Sequence, residues 1–209
     1  MKNCVVVGGT RASVFVSGEE ASLNAEGCIF HTASTAGSGL LLQSGAVASL
    51  NSCRIDSCGR NGVEVYDSRF EALYSSISSN GHSNVCLEEG AYGDLYRCQM
   101  NDSSGSQGVY VEGEGTEALI SACDVCRNFA SNVAVQEGAV CTLQGGTYNN
   151  SSTRKGWWVE GEGSKLVASN GVAWGNKQLD LVTQDGACVQ LRECSVGSMY
   201  LGNMITLDN

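Results

Sequence analysis

The chain has 209 residues, 42% of them hydrophobic, with 27 Gly, 11 Cys, no Pro and a formal charge of −10. A sequence pI of about 4.6 excludes a general binder of nucleic-acid backbones, which needs clustered Lys and Arg to displace counterions. Turns have to be built from Gly, Asn, Ser and Asp, which fits many short strands, and no apolar run reaches the length of a membrane span or a signal-peptide core. An odd number of Cys in a chain this long does not read as a small disulfide framework. Reduced thiols and an intracellular, cytoplasmic setting are therefore expected, with Met1 equally compatible with a segment of a longer protein.

In chain order, Cys4 to Val7 reads as the tail of one coil, and a triplet of the form apolar, any residue, apolar then recurs. Its last members are Val16, Leu42, Val65, Leu87, Val111, Val135, Val159, Thr183 and Leu207, with steps of 26, 23 and 22 and then 24 throughout. Partners two residues earlier form a second clean series: Val14, Leu40, Val63, Val85, Val109, Val133, Trp157, Leu181 and Ile205. A spacing of two puts both side chains on one face of a strand and the middle residue on the other.

Eight residues after each anchor lies another apolar series, Leu50, Leu73, Leu95, Leu119, Leu143, Val167 and Leu191, in the next expected strand of the coil. A third series mixes Cys with small or polar residues: Cys4, Cys28, Cys53, Ser75, Cys98, Cys123, Gly146, Asn170 and Cys194. Polar stretches of variable length, such as SSNGHSN and NDSSGSQG, close the coils. No segment shows the i, i+3, i+4, i+7 pattern of a helical repeat, so the periodicity predicts an all-β parallel solenoid of about eight coils of 22–26 residues, with equivalent positions stacked at about 4.8 Å.

The segments NGVEVYDSRFEALYSSI and SNVAVQEGAVCTLQGGTY resemble the right-handed parallel β-helix repeats of the pectin-lyase-like superfamily, and most nearly the β-helix domains of F-box and SHC-binding proteins. The resemblance runs from about Cys4 to Leu207 and implies one β-helix domain over residues 1–209. No amphipathic helix covers either end, and uncovered strand edges predict end-to-end self-association or excision from a larger protein.

Six Cys of the third series are expected to stack as a reduced ladder, packing as small hydrophobes. Cys123 and Cys126 have the spacing of half a zinc site, but no second half is evident, so no metal or cofactor is expected. His31 and His82 are placed in loops, and Asn101, Asn149 and Asn150 begin Asn-x-Ser matches that matter only in a secreted chain. The informative rows are the middle triplet residues and those following each anchor. Together they set Glu64, Tyr66, Glu88, Tyr110, Glu112, Trp158 and Glu160 on one outward face, where rings beside hydrogen-bonding groups can stack on a sugar or anchor a protein.

In pectin-lyase-like enzymes the equivalent face often carries the active site. The bases, calcium ligands, paired Asp, Gly-His-Gly and Asp-Pro patterns of such enzymes have no match here, and the face is read as free of basic residues. No catalytic residue is assigned. The expected function is a non-catalytic, rigid binding scaffold for a protein partner, with carbohydrate binding or polysaccharide degradation through Glu88 and Glu112 as the alternative.

Overall fold

The computed structural model describes residues 1–32, 35–202 and 205–208. Among them every regular element is a strand, and every strand pairing is parallel. The strands line three faces of a prism, and two of these faces carry a continuous sheet. The first sheet has nine strands, from Ala12–Ser17 to Met199–Leu201, and the second has nine, from Ser22–Glu26 to Ile205–Asp208. On the third side, the strands Val5–Val7, Ile29–His31, Arg54–Asp56 and Ser76–Ser78 give way to single bridges through Gln99, Asp124 and Thr147.

The triplets are the first sheet. Val63, Val85, Val109, Val133, Trp157 and Leu181 stack in register and are fully buried. β-Branched residues suit such a surface because their restricted rotamers fit neighbours on the pleat. Trp157 breaks the size pattern, and its ring lies edge-on to Tyr148 with centroids 5.3 Å apart. Space for it comes from Gly171, where a Cβ would stand 3.2 Å from the indole.

Three expected placements are corrected. In the second sheet the stacked inward residues are Leu50, Ala72, Leu95, Ile120, Leu143, Ala168 and Leu191. Ile120 is fully buried whereas Leu73 is 37% exposed, and Leu119 and Val167 point outward, half-buried. The physical reason is turn length. The turn separating the first and second sheets holds two residues after Tyr66, three after Glu88 and four after Glu112 and Glu160, and a slip of one residue exchanges the two faces of a strand.

Ile205 and Leu207 pair with Val189 and Leu191 in the second sheet; the first-sheet strand of that coil is Met199–Leu201. The coil is shorter because Ser195–Val196 leads through only Gly197 and Ser198 into that strand. His31 closes the third-side strand Ile29–His31 rather than lying in a loop. The third series includes Gly171, not Asn170, since Val172 pairs with both Thr147 and Ser195. All eleven Cys are free thiols, and neighbours touch without bonding: the Cys98 amide donates to Cys123 Sγ at 3.3 Å.

A row of asparagines runs under the first sheet's leading edge. Asn80 Nδ2 donates to Asn84 Oδ1 (2.9 Å), Asn84 to Asn128 (3.0 Å), Asn128 to Asn132 (3.0 Å), Asn132 to Asn176 (2.9 Å), and Asn176 to Asp180 Oδ1 (2.7 Å). Most of these amides also donate to a main-chain carbonyl: Asn84 to Asn101, Asn128 to Met100, Asn132 to Asn149 and Asn176 to Tyr148. Buried amides are held this way because an unpaired one costs its full desolvation. The intervening coils carry Gly in place of the second Asn. A Cβ at Gly108 would stand 2.5 Å from Asn128 Nδ2 and 2.7 Å from the Asn132 carbonyl. The true unit is therefore two coils, 48 residues, as GVYVEGEG at 108–115 and GWWVEGEG at 156–163 show.

Candidate functional site

The outward face of the first sheet brings the expected residues together in two rows. Glu64, Cys86, Tyr110, Ala134 and Trp158 pair in sequence along one row. Tyr66 pairs with Glu88, and Glu112, Gln136 and Glu160 follow in register along the other. The rows share one floor, but only part of it is open. Glu64 is 3% exposed, held by Asn61 Nδ2 at 2.6 Å and by Arg60 Nε at 2.8 Å. It is a buried, paired anion and not a surface acid, which corrects the sequence reading.

The same reading missed the loops. Residues just before each strand fold over the face and bring Arg60, His82, Arg154 and Lys155 to its edge, so the face is not free of basic groups. Their sequence signal was present, since each lies within five residues of a triplet. Lys155 Nζ sits 4.0 Å from the Trp158 ring centroid and Arg154 Cζ 5.7 Å, both within the range of a cation–π contact. Burial lowers the Lys155 ammonium's pKa, as does neighbouring Arg154, while Glu160 opposes that shift. Glu160 in turn accepts from the amides of Gln136 and Gln184.

Between Arg60 and Tyr110 the face opens into a depression of about 340 Å³, floored by Cys86, Glu88 and Tyr110 and walled by Arg60, His82 and Gln107 among others. Cys86 Sγ donates to Glu88 Oε1 at 3.0 Å. Burial pushes the Glu88 carboxyl up, with Glu112 and Glu64 adding to it and the thiol's hydrogen bond opposing. Burial, then the Glu88 charge, raises the Cys86 thiol well above its usual value. Burial likewise raises the Tyr110 phenol, followed by its hydrogen bond to Glu112, and raises Tyr66, followed by Glu64 and Glu88. Protonated donors and a half-buried ring thus line one concave site, the composition from which small polar ligands are held.

A second depression, of about 320 Å³, lies on the third side. Its charges are mutually paired there, Arg127 binding both oxygens of Asp102 at 2.8 and 2.9 Å. Among the described residues no three His, Cys, Asp or Glu converge as a metal-ligand group. Cys126 is buried and donates to Asp124 Oδ1 at 2.9 Å, beside but not within the hydrophobic core that Cys123 and Val125 join. No helix is long and apolar enough to cross a membrane among the described residues.

Parallel strands stacked coil on coil define a parallel β-helix. The chain belongs to the right-handed β-helix family: the family model described as "right handed beta helix region" matches residues 12–196. No curated relative matches it in sequence. Among solved structures it is similar to the A-module of a mannuronan C-5 epimerase from Azotobacter vinelandii, at 14% identity and a TM-score of 0.70, over 91% of this chain and 57% of that one. A periplasmic alginate epimerase matches at 9% identity and 0.66, over 93% of this chain and 60% of its own. A pectate lyase matches at 11% and 0.64, over 98% and 70%. The chain thus spans less than two thirds of the two epimerase chains, and at these identities the likeness is one of fold.

Proposed function

We propose that the chain binds a polysaccharide laid along the outer face of the first sheet, across the coils. The observation that carries this reading is the depression of about 340 Å³ in which a half-buried ring, Tyr110, stands beside the hydrogen-bonding groups of Glu88, His82 and Gln107. Aromatic rings next to polar groups satisfy a sugar's apolar face and its hydroxyls together. The names of the structural neighbours, which describe epimerases of mannuronan and alginate and a lyase of pectate, support a glycan over the protein partner expected of a plain scaffold.

Affinity electrophoresis through gels containing alginate, pectate, xylan or partly deacetylated chitin tests it, with reducing ends and unsaturated products monitored to detect turnover. Retention is expected on at least one of the polymers, and loss of that retention in the Tyr110→Ala/Trp158→Ala double variant with cooperative unfolding preserved. No retention on any polymer, or retention indifferent to the double variant, overturns the proposal and returns the face to a protein partner.

A further inference from the structure

The two-coil repeat sets two copies of one arrangement on the face. In the second copy, Trp158 is met by Lys155, whose Nζ lies 4.0 Å from the ring centroid, and Glu160 is the next outward residue of the strand. In the first copy, 48 residues earlier, Tyr110 and Glu112 take the places of Trp158 and Glu160, and Gln107 takes the place of Lys155. The backbones agree: the Asn84 amide donates to the Gln107 carbonyl at 3.2 Å as the Asn132 amide does to the Lys155 carbonyl at 3.1 Å. Where the second copy is filled by its own ammonium, the first is the open depression beside Glu88.

We infer that the Tyr110 depression receives a primary ammonium from the ligand, and that the polysaccharide is an amine-bearing one, of the polyglucosamine type. This rests on the polysaccharide-binding reading and narrows it. Lys155 is the internal example of the chemistry, an ammonium held over an aromatic ring. Tyr110 and Trp158 are two coils apart, about twice the 4.8 Å strand spacing, the length scale of a disaccharide, so alternate sugars of one chain would meet equivalent rings. Within the depression the Arg60 guanidinium is paired with Glu64, and the Glu88 carboxylate on the floor favours a cation over a uronate.

Titration calorimetry with glucosamine oligomers, their N-acetylated counterparts, galacturonate oligomers of equal length and cadaverine tests the assignment. The amine-bearing oligomer is expected to bind roughly tenfold or more tighter than the acetylated one, with cadaverine and the uronate weaker still. Gln107→Lys places an internal ammonium in the depression and should abolish binding, while Gln107→Glu, of similar size and opposite charge, should strengthen binding of the amine-bearing oligomer. Lys155→Gln opens the second copy and should strengthen binding of oligomers long enough to span both rings. A diffuse attraction to an acidic protein would change little with Gln107→Lys, and that result overturns the inference, as does equal binding of the acetylated oligomer or of cadaverine. Uronate binding lost in Tyr110→Ala removes the ammonium but leaves polysaccharide binding standing; absence of binding by every glycan removes both.

Discussion

Asp180 and Glu88 show how one fold sets two carboxylates apart. Asp180 is buried, and burial alone would raise its pKa. It accepts instead from the amide and side chain of Asn176 at 3.0 and 2.7 Å and from the amide and hydroxyl of Ser198 at 2.8 and 2.9 Å, and these bonds bring it below the usual aspartate value. An acid depressed on folding contributes stability that is complete above its unfolded value, about 3.9, and lost as pH falls through the folded value. Glu88, raised on folding, acts in the opposite sense, and its contribution fades as pH rises through its elevated value. Asp180→Ala should cost roughly 2–4 kcal/mol at neutral pH, since it strands the Asn176 amide. Urea midpoints followed from neutral to acid pH should show the variant losing less stability on acidification than the parent; parallel curves would refute the linkage.

At the level of the element, the register of the second sheet separates what was legible in the sequence from what was not. The first sheet could be read directly, because Val109 and Val111 are fixed by alternation within a single strand. The second could not be reached by a constant offset, because the intervening turn holds two, three or four residues. Ile120→Ala is therefore expected to destabilise by roughly 2–5 kcal/mol, and Leu119→Ser by about 0.5 kcal/mol or less. Denaturant unfolding of the two variants checks the assignment, and a larger loss for Leu119→Ser would reverse it. The candidate site was legible to the same extent. Tyr110, Glu112, Trp158 and Glu160 follow from strand alternation, whereas the burial of Glu64 and the arrival of Arg60, Gln107 and Lys155 depend on loops whose paths no periodicity describes.

For the whole molecule, coils that contact only their neighbours make stability close to a sum of units and interfaces. The Asn and Gly alternation adds a constraint of parity. Removing residues 109–156, one complete two-coil unit, joins Gly108 to Trp157 and leaves Asn84 facing Asn176. Removing residues 133–156, a single coil, stacks two Asn-bearing coils with no Gly between them. The longer deletion is expected to leave the more stable protein, by thermal melting of both. A more stable single-coil deletion would show that the asparagine row does not set the repeat.

That row also has a direction. Every Nδ2 from Asn80 onward donates to the residue after it, and hydrogen bonds arranged in series strengthen one another. The series ends on Asp180, a carboxylate that accepts and cannot donate. Asparagine at an inner position passes the bond on; aspartate at this one closes it. The solenoid's interior is in this sense a polar wire with a terminus written in a single side chain, and a charge change at Asp180 is felt first by Asn176, four residues before it, and through that side chain by Asn132, two coils nearer the start.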